Sequence, residues 1–315
     1  MRNLGQNVVG LVLSIAVATA AGCAGGNGTA ATGQLSPALT TTRSSQQNVS
    51  GTLVYVAEHT NNLIDVFNIH RALQYTITKG LNAPVGLYVD TKHNLWVANP
   101  GANNVLEFPR GATRPSATLR DSNGPNDVTL CPDGTVFVAD TTGKGGIGAY
   151  PPGHDHPTSR LRAQQSGAGG LEFYVTCDRG GNVFATSAIG FSPFTATIGF
   201  KHAQESGYYL LNQQAWSNSG IKTTHSGTLL IAFGSGSDGY VKEFLESGKP
   251  TGREISTSPE IWGDIALNAK QDVIFGTDSY HNVVVGLTFP GDKVKYTYSN
   301  SNLVQPEGVA VDPGD

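Results

Sequence analysis

From Gly51 to the end of the chain, apolar residues come in runs of three to six, each broken by Gly, Pro, Asn or Asp. Pro84-Val85-Gly86-Leu87-Tyr88-Val89-Asp90 is followed by Asn94-Leu95-Trp96-Val97-Ala98-Asn99 and then by Asn103-Asn104-Val105-Leu106-Glu107-Phe108. Runs this short, rich in β-branched and aromatic residues and bounded by turn formers, predict strands rather than amphipathic helices. The same order returns at Pro125-Asn126-Asp127-Val128, Asp133 to Asp140 and Gly148-Ala149-Tyr150. Weaker copies begin at Tyr174, Gly220 and Gly263. With Leu95, Val136, Val183, Leu229 and Val273 as equivalent points, the steps are 41, 47, 46 and 44 residues. A period in the forties, with three or four strands per unit, predicts propeller blades and excludes a helical solenoid.

The two ends of this region are complementary. Pro306-Glu307-Gly308-Val309-Ala310-Val311-Asp312 reads as a first strand with no second strand after it. Gly51 to Glu58 reads as a second strand with no first strand before it. Joined, they make one ordinary repeat, so the expectation is an all-β, six-bladed β-propeller closed by pairing of its N- and C-terminal strands. Closure removes the open sheet edges on which other chains add.

Composition agrees with strands and turns. The 315 residues include 40 Gly and one Met, and only 14% are charged, which leaves little material for long surface helices. A net charge of −4 gives no basic field to hold nucleic acid, so that class of partner is excluded.

The region before Gly51 has a different character. Met1-Arg2 is followed by polar residues and an apolar stretch from Val8 to Ala18, too short to span a bilayer but suited to a signal peptide. It ends in Ala20-Ala21-Gly22-Cys23, which resembles a bacterial lipobox, with Ala20 where that motif most often has Leu. The resemblance implies a lipoprotein signal peptide over 1–22 and Cys23 as the lipidated residue. The implied location is the cell envelope, on its periplasmic or extracellular face, with the membrane as one partner. Acylation on two sites would anchor the chain where one acyl group would not. Residues 24–50 are Gly, Ala, Thr, Ser, Gln and Asn with few large apolar groups, and predict a flexible tether. The propeller then occupies 51–315.

The motif Pro-x-Gly-apolar-x-Val-Asp, followed by Asn-apolar-aromatic-Val-Ala and an Asn-Asn hairpin, resembles the NHL-repeat propellers and, more distantly, the gluconolactonase (regucalcin-like) superfamily. It specifies architecture, because propellers host binding modules, scaffolds and enzymes alike. Aligned repeats place Val85, Asn126, Phe173, Ser219, Gly263 and Glu307 at one position. Gly86, Asp127, Tyr174, Gly220, Asp264 and Gly308 share the next. Asn126, Asp127, Asp264 and Glu307 are therefore the candidate ligand-binding residues at the channel mouth. The preferred reading is a non-catalytic binding platform without a cofactor, for a protein, peptide or glycan partner. The gluconolactonase resemblance implies the alternative, a metal-dependent hydrolase with Glu307, Asn126 and Asp264 around Ca²⁺ or another divalent cation. Against it, the same register puts Val85, Phe173 and Gly263 where further ligands would stand, and strand-start Asn and Asp also serve turns.

Other motifs carry less. Gly143 to Gly148 and Gly234 to Gly239 match the dinucleotide fingerprint, but each precedes a strand, so no nucleotide cofactor is expected. His154-Asp155-His156 follows Pro151-Pro152-Gly153 and predicts a surface loop. Cys131 and Cys177 fall one residue out of step on the first strands of adjacent repeats. That offset points their side chains to opposite sheet faces, so free buried thiols are expected over a disulfide. The stretch from Ser187 to Ser217 departs most from the repeat. It is either a degenerate blade or a lip on the channel formed by Tyr208, Tyr209, Leu210, Leu211 and Trp216.

Overall fold

A computed structural model describes residues 46–142, 145–163, 171–188, 194–204, 206–214, 217–235, 238–257, 263–301 and 303–314. The expected signal peptide, Cys23 and most of the tether lie outside these residues, as does Trp216. The described chain is built mainly of strands β1–β24, from β1 (Leu53–Glu58) to β24 (Pro306–Asp312), arranged as six four-stranded antiparallel blades, of which the third and fourth join edge to edge into one eight-stranded sheet. Blade 1 combines β24 with β1, β2 (Leu63–Asn68) and β3 (Leu73–Ile77). Blade 2 is β4 (Leu87–Val89) to β7 (Ala117–Arg120), and blade 3 is β8 (Pro125–Leu130) to β11 (Ser159–Ala163). Blade 4 is β12 (Leu171–Cys177) to β15 (Ser206–Gln214), and blade 5 is β16 (Ser217–Thr223) to β19 (Pro250–Thr257). Blade 6 is β20 (Ile265–Leu267) to β23 (Val294–Tyr298).

The first strands β24, β4, β8, β12, β16 and β20 touch one another in that order around the axis, and β20 returns to β24. The fold is the six-bladed propeller that the repeat predicts. Its closing pair runs antiparallel from Leu53 opposite Asp312 to Ala57 opposite Gly308, with a bulge before Glu58 that accommodates Glu307.

Strand alternation determines where the core lies. Each blade presents one apolar face to the preceding blade and the other to the next. Six buried clusters result, one at each interface. Leu53, Tyr55 and Ile64 meet Leu87, Val97 and Phe108 between blades 1 and 2. Trp96 and Val105 meet Val128 and Val138 between blades 2 and 3. The remaining four interfaces repeat this arrangement. Each such side chain removed from water contributes roughly 1.5–3 kcal/mol.

One sequence expectation is overturned and two are sharpened. Cys131 and Cys177 form a disulfide with their Cα atoms 5.4 Å apart. The offset between them was read correctly, but the rule about opposite faces holds within one sheet. Between stacked blades, the trailing face of one meets the leading face of the next. Cys131 shares a cluster with Phe137 and Ile147 of blade 3, and Cys177 packs on it with Val175 of blade 4, so opposite faces bring the sulfurs together. Second, the described part of the Ser187 to Ser217 stretch supplies outer strands of blade 4, and β15 pairs in parallel with β11 of blade 3 at Arg162–Ser206 and Ala163–Gly207. Tyr208 is exposed on that outermost strand, far from the axis, so it forms no lip on the channel. Third, the last residues of the expected tether touch the body. The Gln47 backbone N–H donates to Gly111 O at 2.7 Å, Gln46 Nε2 donates to Arg110 O at 3.0 Å, and Val49 packs on the core between blades 1 and 2.

Candidate functional site

The first strands run from a closed end of the ring to an open one. At the closed end their backbones bond from blade to blade. Gly86 N–H donates to Asn126 O at 2.9 Å, Gly220 N–H to Gly263 O at 3.0 Å, and Asp264 N–H to Glu307 O at 3.3 Å. A Cβ on Gly308 would strike Val85 O, and one on Gly86 would strike the Asp127 carboxylate, so only glycine permits this approach. The Tyr174 ring, 7% exposed, fills the same level, and burial holds its hydroxyl far above the usual tyrosine range.

Asp127 and Asp264 stand on diametrically opposed blades, 3 and 6, with side chains fully removed from water. Each accepts a backbone N–H from the next blade: Val175 N to Asp127 Oδ2 at 2.9 Å, and Val309 N to Asp264 Oδ2 at 3.4 Å. Asp264 Oδ1 also accepts from Ile265 N at 2.8 Å. Between them lies Lys222, two residues beyond Gly220 on β16. Its Nζ is 3.3 Å from Asp264 Oδ1 and 4.0 Å from Asp127 Oδ2. Among the described residues Nζ and Asp127 Oδ1 have no well-aimed hydrogen bond, so the ammonium is held by charge. Burial raises both aspartates above the ordinary carboxylate range, opposed by Lys222. Burial alone would lower Lys222, but the two carboxylates outweigh it and the net shift is upward.

Above this plug the channel opens into a funnel of about 1070 Å³. Lys222 and Tyr88 lie at its floor, Leu87, Leu130 and Val309 form apolar wall, and Thr176, Thr223 and Thr224 add hydroxyls. Its rim carries Lys92, Asp133, His154, Arg179, His225 and Asn268, and the Cys131–Cys177 bond forms part of its wall. Several rim polar groups hold hairpins. Asp90 Oδ1 accepts from Lys92 N and Asn94 N at 2.8 and 2.9 Å, and Asp178 Oδ1 accepts from Asn182 N at 2.7 Å. The Thr176, Thr223 and Thr224 hydroxyls and the Asn268 amide are likewise engaged within the protein, so what faces a ligand is an apolar wall with charged groups of both signs at the edge.

The four sequence candidates thus lie apart from the open mouth. Asp127 and Asp264 come together at Lys222. Asn126 is turned toward blade 4, its Nδ2 donating to Phe173 O at 2.6 Å. Glu307 sits in the closing bulge beside Glu58, pushed up to about 7 by burial. None of the four lines the funnel. The calcium-type site implied by the gluconolactonase resemblance does not fit this donor set, since that ion needs six to eight converging oxygens. Here the asparagine amide donates to a carbonyl, three of the four aspartate oxygens accept backbone N–H groups, and an ammonium lies between the two carboxylates. Lys222 was missed, although extending the alignment by two positions would have found a lone charge where other blades carry Tyr88, Thr129, Thr176, Ala266 and Ala310.

The described parts of the glycine strings lie on or beside strands, with Gly146 and Gly148 on a strand of blade 3 and Gly234 opposite Gly239 on β17 (Thr228–Ser235) and β18 (Asp238–Leu245); residues 143–144 and 236–237 lie outside the described residues. His154 and His156 are exposed, as a surface loop requires.

No family model matches the chain, and no curated protein matches it. Solved structures do. A chain of a nidogen/laminin complex is 15% identical, covers 83% of this chain and 98% of its own length, and superposes with a TM-score of 0.65. A protein of unknown function from Bacteroides caccae is 11% identical over 83% of this chain and 99% of its own, with a TM-score of 0.63. A streptogramin B lyase structure is 14% identical over 84% and 89%, with a TM-score of 0.56. At these identities the likeness carries the six-bladed propeller architecture and stops there.

Proposed function

We propose that this chain is a lipid-anchored protein of the cell envelope, its NHL-like propeller a non-catalytic platform that takes a protein, peptide or glycan partner in the funnel. The funnel carries the reading: a concave wall of apolar residues rimmed by convergent polar groups is the usual form of a ligand site. The Cys131–Cys177 bond supports export, because structural disulfides persist in oxidising compartments. The Ala-Ala-Gly-Cys23 sequence supports the anchor.

The test has two arms. On expression in a bacterium, the wild-type protein should partition into a detergent phase and Cys23→Ala into the aqueous phase; equal partition of both removes the anchor. Peptide and glycan arrays probed with the purified protein should give saturable binding that the Arg179→Glu/His225→Glu rim pair abolishes. Binding that ignores the rim pair would place the platform elsewhere.

A further inference from the structure

The axial ammonium explains why the expected metal ligands do not converge. We propose that Lys222 is a built-in cation: its ammonium occupies the axial position between Asp127 and Asp264, holds opposed blades together and seals the channel, making the axis a site for a primary ammonium group rather than a divalent metal.

Four observations carry this. The two carboxylates come from blades 3 and 6, which share no sheet, and Lys222 comes from a third blade, 5. The ammonium lies within ion-pair distance of both, at 3.3 and 4.0 Å. The carboxylate oxygens facing it are otherwise engaged by the backbone N–H groups of Val175 and Ile265, leaving too few oxygens for an ion that demands a full shell. Finally, two buried carboxylates with no cation between them would be an uncompensated pair, so the position demands positive charge and Lys222 supplies it. The hydrocarbon stem of Lys222 completes the funnel floor. A ligand in the funnel therefore enters and leaves by one mouth.

The inference is independent of what the funnel binds. In the full-length protein, Lys222→Ala removes a propylammonium-sized piece of side chain. Its thermal midpoint should drop by roughly 10 °C. Added n-propylammonium should restore much of that loss, whereas n-propanol should restore little. The wild-type midpoint should be unchanged by EDTA or by millimolar Ca²⁺. Equal rescue by propanol would mean that Lys222 acts only as packing, and a Ca²⁺-dependent rise in the wild type would mean that a metal belongs at the axis. Either result overturns the proposal. Should Lys222→Ala fail to fold, Lys222→Met keeps the stem and loses the charge. It should be destabilised, and Lys222→Met/Asp264→Asn should recover part of the loss by removing an unpaired carboxylate. A Lys222→Met protein as stable as the wild type refutes the built-in cation.

Discussion

Glu58 ends β1 with its side chain out of water, one oxygen accepting the Val304 N–H at 2.6 Å and the other without a hydrogen-bond partner among the described residues. Burial raises its carboxyl to about 8, with Asp65 and Glu307 adding to the shift against the Val304 bond. The folded protein therefore keeps this proton through a range where the unfolded chain, titrating near the ordinary carboxylate value, has released it. Because the native state binds more protons between about pH 4.5 and 8, stability falls as pH rises across that window. Glu58→Gln imitates the protonated form. Its unfolding free energy should match that of the wild type near pH 5 and exceed it near pH 8 by an amount on the order of 1–3 kcal/mol. Thermal melts at the two pH values check this, and an equal loss at both would show that glutamine simply does not fit. Single side chains were the level at which reading the sequence worked least well. Asp127 and Asp264 were found because they share a register, but their roles depend on Lys222 of another blade, and no spacing along the chain reports a contact made across an axis. Asn126 was likewise identifiable as polar and first-strand, while the direction of its amide is fixed only by Phe173 O.

Among strands the pattern carried much further, because alternation and turn chemistry are local. The first-strand and second-strand runs emerged where they were expected, as β4 and β5 (Leu95–Asn99) and as β8 and β9 (Val136–Asp140). What alternation cannot supply is the rotation between one sheet and the next, and the cysteines show the consequence. Blades 3 and 4 are joined twice, by the Cys131–Cys177 bond toward the axis and by the β11–β15 pairing at the outer edge. The two cysteines are 46 residues apart, and a closed loop of that length reduces unfolded-state entropy by an amount worth about 4 kcal/mol in the chain-entropy account. Cys131→Ser/Cys177→Ser should therefore unfold at lower denaturant by up to about that amount. Dithiothreitol should shift the wild type toward the double variant and leave the variant itself unmoved. A wild type insensitive to reductant, with alkylatable thiols in the native protein, would contradict the bridge.

The ring as a whole stands or falls on one junction. β24 comes from the far end of the chain, yet its Val309 packs with blade 6 and its Ala310 with blade 2, so it is the keystone of two interfaces as well as the first strand of blade 1. Hydrogen bonds with β1 hold it, and so does a clasp from blade 2. The fully buried Asp312 carboxylate is bound by Arg110 and by His93 Nδ1 at 2.6 Å, and Arg110 reaches on to Gly51 O at 2.5 Å. Arg110 thus touches both chain segments that meet at the seam. Removing it leaves the buried Asp312 carboxylate with His93 and the Gly314 N–H but without its guanidinium, and breaking a buried pair in this way costs about 3–5 kcal/mol. Arg110→Ala should be destabilised by that order, and Arg110→Ala/Asp312→Asn should recover part of the loss, because the second change removes the stranded charge. Location is the sharper criterion. A propeller closed by noncovalent pairing should open first at its seam, so native-state hydrogen exchange of Arg110→Ala should quicken in β24 and β1 before it quickens in β16 and β17 of blade 5. Uniform acceleration across all blades would mean that the ring unfolds as one unit, with the clasp contributing only bulk stability. Selective opening would show that the two ends of the chain meet where the fold is most easily undone.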